Sequence, residues 1–120
     1  MMPSMAYNEE LADRVRVVLA DRTDVEEKKM FGGLTFMVAG QMCCGVLKDD
    51  LVVRIEPGEF DTLVGQPRVR PFDFSGRPMQ GMVYVENGAL ADPKVLQTWV
   101  QRGTDYVTAH PATAKGRKRD

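Results

Sequence analysis

The sequence is poor in the side chains from which metal centres and nucleophilic sites are built. It has one histidine, His110, and two cysteines, Cys43 and Cys44, which are adjacent. Structural zinc takes four Cys or His ligands, so no metal site is expected. Adjacent cysteines do not form a disulfide framework, which needs half-cystines separated along the chain and an oxidising compartment. In a strand the two face opposite sides of the sheet. At most one is therefore expected in the core, as a small hydrophobe, with the other half exposed. A redox thiol is the lesser alternative. No Lys, Arg or His stands within three residues of Cys43 to activate it, although Lys48 is close to Cys44. No apolar run approaches the ~20 residues of a membrane span. The start, Met1-Met2-Pro3-Ser4-Met5, lacks the basic region and apolar stretch of a secretory leader. A cytoplasmic protein with no membrane partner is expected. Gly32-Gly33 lacks both the lysine–hydroxyl pair of a Walker loop and the Rossmann spacing. His110, at the edge of the tail, has no nucleophile to serve. No catalytic residue and no cofactor are expected.

What is present is the composition of an ordinary globular domain, 43% hydrophobic and 28% charged. A chain of 120 residues fits one domain with a core large enough to need no staples. The patterned part runs from 6 to 110. Residues 1–5 and the tail 111–120 have no hydrophobic pattern and are expected to be disordered. The formal charge of −1 hides an asymmetry. Lys115, Arg117, Lys118 and Arg119 supply four of the 16 basic residues, and Asp120 one of the 17 acidic ones. Residues 1–114 therefore hold 12 basic against 16 acidic side chains, a formal −4. An acidic body repels a polyanion, so nucleic-acid contact is expected only weakly, at those four tail residues, and without sequence preference.

Two long helices are expected. Asn8 caps the first, Glu9 and Glu10 favour its dipole, and Leu11, Val15, Val18 and Leu19 recur at helical spacing to an end near Asp21. Asp92 caps the last, Pro93 takes its first position, and Leu96, Trp99, Val100, Gly103 and Val107 form its apolar stripe up to Pro111. Between them the period falls to two. Val25 to Val38, Gln41 to Leu47 and Leu51 to Ile55 read as an antiparallel meander turning at Ala39-Gly40 and Lys48-Asp49-Asp50. Leu51, Val53 and Ile55 are expected to face the helices. A short helix over 59–64, a brief strand at Val69 to Phe72 and a better one at Gly81 to Glu86 follow, with Asn87-Gly88 as a turn. Gly32 and Gly33 interrupt the first strand-like run, where glycine weakens a sheet. A bulge, a bend or the close approach of another backbone is expected there.

The paired carboxylates Asp49-Asp50 and Glu26-Glu27 read as solvated surface. Met30, Met37, Met42, Met79 and Met82 read as core filler, with an adaptable Met and Phe binding patch as the sharper alternative. Edge strands need cover, charge or a partner. Glu26, Glu27, Lys28 and Lys29 protect the strand around 25–30 by charge, and the poorly patterned strand at 68–72 is the less protected edge. A homodimer is expected.

The order of these motifs resembles the N-terminal domain of the TfoX/Sxy family. The resemblance runs from Lys29-Met30-Phe31-Gly32-Gly33 through Gly40-Gln41-Met42, Leu51-Val52-Val53-Arg54 and Phe72 to Met79-Gln80-Gly81-Met82-Val83-Tyr84-Val85, then Asp92 and Leu96 to Trp99. Met5-Ala6-Tyr7-Asn8-Glu9-Glu10-Leu11 is similar to the way members begin. It covers about residues 5–108. It implies an α+β fold, a two-layer sandwich with an antiparallel sheet and helices on one face, in the order α-β-β-β-α-β-β-α, as in secretion-chaperone-like folds. Founding members regulate natural competence with a cyclic-AMP receptor protein at promoters and are not known as enzymes. They carry a second, C-terminal domain, in whose place this chain has its basic tail. The resemblance implies a non-catalytic regulatory or protein-interaction module. Its partner would be a protein, of which a transcription regulator is one kind, and Met30, Phe31, Gly32 and Gly33 would have a structural or interaction role. Nucleic-acid association through the tail is the first alternative. A small-ligand binder or enzyme of unrecognised type is the second.

Overall fold

Asn8 opens the structure as the sequence pattern requires. Its side-chain oxygen accepts from the Leu11 N–H at 3.0 Å, satisfying a donor that the first helical turn leaves unpaired. The computed structural model describes residues 7–30, 32–72 and 79–110. The expected disordered ends, 1–5 and 111–120, lie outside the described residues. The elements are α1 (Glu9–Val18), β1 (Val25–Met30), β2 (Gly33–Val38), β3 (Gln41–Leu47), β4 (Asp50–Arg54), α2 (Phe60–Val64), β5 (Val69–Phe72), β6 (Met79–Val85) and α3 (Pro93–Ala109). Short 3-10 turns at Pro57–Glu59 and Asn87–Leu90 precede α2 and α3.

All six strands form one antiparallel sheet in the order β1-β2-β3-β4-β6-β5. The buried hydrophobic side chains of α1, α2 and α3 belong to one core cluster against it, so the helices share a face. The α+β class and the single-sided arrangement are as expected. The element order is broadly as expected, with one strand more. The meander has four strands, because the run from Val25 to Val38 folds back on itself. Met30 pairs with Gly33, so the chain turns back between β1 and β2 next to Gly32. Gly32 supplies the positive φ of +77° that this turn takes. Gly33 has a different reason to lack a side chain: a Cβ there would collide with the Val46 carbonyl oxygen of β3. The bend and the close approach are thus both present, one at each glycine.

Leu34, Phe36 and Val38 of β2, Leu51 and Val53 of β4 with Ile55 beyond it, and Val83 and Val85 of β6 point into the core. From α3, Leu96, Trp99, Val100 and Val107 meet them, all buried. Trp99 is 6% exposed, so the apolar stripe read from the sequence is the one that packs. Burying side chains of this size contributes roughly 1.5–3 kcal/mol each before chain entropy is counted.

The cysteine expectation is corrected. Cys43 and Cys44 are both fully buried in the same core cluster. The reason is a β-bulge. Phe36 pairs with Cys44 but Met37 pairs with Met42, which leaves Cys43 as the extra residue. A bulge breaks the alternation of faces, so two consecutive side chains turn to one side. Cys43 then meets α3 at Gly103, where a Cβ would lie 2.5 Å from the Cys43 carbonyl oxygen.

Along the sheet edge, α1 is clamped to β1 by charge. Arg16 grips Glu27 through Nε at 2.7 Å and Nη2 at 2.8 Å and also holds Asp13. These hydrogen bonds hold the Glu27 carboxyl below its usual range, against a smaller opposing desolvation. A depressed carboxylate pKa stabilises the fold above the unfolded value of about 4.3, and the contribution is lost as pH falls through the folded value.

Two outcomes follow. Gly33→Ala is expected to lose more than ~1 kcal/mol through the backbone collision, and Gly32→Ala about 1 kcal/mol through its positive φ. Urea titrations read both, and wild-type midpoints for the two variants would remove the special role of this turn. Glu27→Gln is expected to cost about 0.2–1 kcal/mol at neutral pH, since the pair is surface-exposed. The gap should close only as pH falls below the usual carboxylate range, where the wild-type carboxyl is finally protonated. Melting curves across pH check it, and a gap that persists in acid would show that charge is not its source.

Candidate interaction face

Strand alternation sends a second set of side chains to the face opposite the helices. Val52, Phe72 and Met82 form a small buried cluster there, with Met42, Leu47 and Tyr84 packed half-buried around it. Met37 is half-buried beside Met42, its cross-strand partner. Thr35, on the same side, is buried. Between β2, β3 and β4 the surface dips into a pocket of about 10 Å³ lined by Gly33, Thr35, Met42, Gly45, Leu47 and Val52, room for about one water. The methionines thus divide: Met82 is buried, while Met37 and Met42 form a soft surface. The side chains of Met30 and Met79 lie outside what is described.

One end of this face carries an organised polar rim. Arg70 of β5 lies over the Tyr84 ring, its guanidinium carbon 4.8 Å from the centroid. It also donates to Asp50 at 2.7 Å and Glu86 at 3.1 Å. Tyr84 in turn contacts Phe72, ring centroids 5.1 Å apart. Asp50 accepts from the Asn87 backbone as well, which ties the rim to the turn before α3. The paired carboxylates of the sequence separate in role. Asp50 joins the rim, Asp49 accepts from Asn8 at 3.3 Å, and Glu27 joins the clamp on α1.

A charged groove of about 310 Å³ lies on the helix side, between Glu56, Glu59, Arg102, Asp105 and Tyr106. Most of its charged groups are already engaged, although the buried Arg102 Nε has no hydrogen-bond partner. Arg102 donates to Glu59 at 2.9 Å and lies over Trp99. His110 meets Glu56 at 2.6 Å and stacks on Tyr106. Gln41 donates to the carbonyls of Val107 and His110. The one histidine therefore fastens the end of α3 to the loop after β4. It has no nucleophile beside it, and no group of metal-ligating residues converges among the described residues.

The cysteine pair is the remaining chemical group. The Cys43 thiol, followed by burial, pushes Cys44 well above the ordinary thiol range. Cys43 Sγ lies 3.9 Å from the Val100 carbonyl. Neither sulfur has access to solvent, so the pair packs as two small hydrophobes.

Of the residues singled out from the sequence, Met30, Gly32 and Gly33 lie at the β1–β2 hairpin, at one edge of the sheet. Phe31 and the basic residues Lys115, Arg117, Lys118 and Arg119 lie outside the described residues. Arg70 was missed. Its partners are 16 and 20 residues away, a distance at which sequence spacing carries no signal.

Among the described residues, no helix is long and apolar enough to cross a membrane. A family model, the TfoX N-terminal domain, matches residues 18–106. Searches of curated proteins and of solved structures find no match.

Both thiols are expected to resist a water-soluble disulfide reagent in the native protein and to react together once guanidinium unfolds it. Rapid native labelling of either would refute the sealed packing.

Proposed function

The chain belongs to the TfoX N-terminal domain family, and from that premise we propose that it is a non-catalytic regulatory module that holds a protein partner on the outer face of its sheet. The family is of regulatory type and is not known as a family of enzymes. The observation that carries the reading is the half-buried set Met37, Met42, Leu47 and Tyr84 around the closed floor of Val52, Phe72 and Met82. Methionine adapts its shape to a docked surface at little cost. Tyrosine and arginine, here Tyr84 and Arg70 at the rim, are enriched where interfaces concentrate their binding energy. A transcription regulator is the kind of partner that the family suggests.

The test is affinity capture from lysate of the source with three versions of the tagged chain: wild type, Met42→Lys, and a chain ending at residue 111. Met42 is only half-buried, so Lys is expected to leave the fold intact, and circular dichroism verifies that. A protein retained by the first and third versions and lost with Met42→Lys supports the reading. A protein set unchanged by Met42→Lys, together with nucleic acid that disappears when the tail is removed, would overturn it in favour of tail-borne nucleic-acid association.

A further inference from the structure

The two edges of the sheet differ in what their backbones offer. At the β5 edge, the pair just before Val69 and Val85 is hydrogen-bonded, with Glu86 N donating to Arg68 O at 2.8 Å. Alternation in an antiparallel ladder then turns the backbone groups of Val69 and Pro71 outward. Val69 N–H is already spent on Gln66 O at 3.3 Å, and Pro71 has none. This edge offers no free donor at either position. The sequence reading is reversed here, for 68–72 is the closed edge.

At the β1 edge, Ala39 N donates to Asp24 O at 3.1 Å, in the pair just before Val25 and Val38. By the same alternation Glu26, Lys28 and Met30 bond to β2, and the N–H and C=O groups of Val25, Glu27 and Lys29 point away from the sheet. Their side chains lie on the helix face, in line with Val38, Phe36 and Leu34. Those of Glu26 and Lys28 lie on the outer face.

We infer that β1 is a self-pairing edge whose partner is a second copy of this chain, added antiparallel about a two-fold axis through Glu27. That symmetry requires a residue to face one of the same parity, so the axis passes through a residue pair. Centred on Glu27, residue 27 faces its own copy, 25 faces 29, and 26 faces 28. Every outward backbone group of β1 is then paired, two N–H···O bonds in each of the narrow pairs. On the outer face Glu26 of each copy stands opposite Lys28 of the other, giving two opposite-charge cross-strand pairs by symmetry. On the helix face Lys29 covers half-buried Val25 with its aliphatic stem. The two Glu27 carboxylates approach there, and each is already neutralised by its own Arg16. Moving the axis by one residue loses the Glu26–Lys28 pairs: centred on 28 it sets Lys28 against its own copy, and centred on 26 it sets Glu26 against its own copy. The charges that shield this edge from strangers are self-complementary in one register, which makes them a specificity device.

This inference concerns the sheet edge and is independent of the outer-face reading. It is tested on the purified full chain, whose protomer mass is 13.4 kDa, by light scattering and sedimentation equilibrium. A concentration-dependent dimer is expected. Lys29→Pro removes an outward N–H together with the Lys29 stem, takes no hydrogen bond from the β1–β2 ladder, and should shift the population to monomer. Glu26→Lys and Lys28→Glu should each weaken the dimer about tenfold or more by placing like charges opposite one another. Mixing those two variants, or combining both changes in one chain, should restore dimer. The mixing result also separates lost pairing from lost folding. A monomer at high micromolar concentration, or a dimer indifferent to Lys29→Pro and to the charge swaps, would overturn the proposal.

Discussion

The seating of α3 on β3 is the contact on which the rest of the molecule depends. Gly103 lies so close to Cys43 that any side chain there would enter the Cys43 backbone. That approach is made possible by the bulge, which turns Cys43 toward the helix and not away from it. With the helix pressed down at this point, Leu96, Trp99, Val100 and Val107 reach the inward side chains of β4 and β6, and α1 closes the core beside it. Thr104, one residue on, is buried by the same contact and satisfies its hydroxyl by donating to the Gln101 carbonyl. The far end of α3 is then fixed by polar links, Gln41 to its last carbonyls and His110 to Glu56.

Because all the helices share one face, the opposite face of the sheet closes on a second, smaller core of its own. Val52, Phe72 and Met82 bury themselves there among longer side chains, and Arg70 sets the boundary through an aromatic face and two carboxylates. A face of this kind offers a partner both soft apolar area and a fixed polar rim. The two sheet edges are governed by different physics. Proline and a local turn bond close β5, whereas β1 keeps its outward donors and acceptors and is governed by charge. The family match over 18–106 gives this arrangement the setting of a regulatory-type domain.

Much of the fold was legible in the sequence, because it rests on local physics. Asn8 and Asp92 cap the helices as their side chains dictate, and the stripes on α1 and α3 bury as their spacing dictates. The alternation at 51–55 sorted core face from outer face correctly. The misreadings came where one residue changes the register. Gly32-Gly33 reads equally as an interruption of one strand or as a hairpin between two, and only the pairing of Met30 with Gly33 decides it. Strict alternation placed one cysteine outside the core, and the bulge opposite Phe36 and Met37 brought both in. A bulge is a compromise between two strands, so neither strand's sequence announces it alone.

The sequence by itself determined which segments are helix and strand, which face of each is apolar, and that the body is acidic, since those depend on side chains a few residues apart. Tertiary structure alone decided the strand order, the meeting of Arg70 with Asp50, Glu86 and Tyr84, and which edge keeps its backbone donors. These depend on pairings between distant segments, whose register is set by how the whole sheet packs beneath α3.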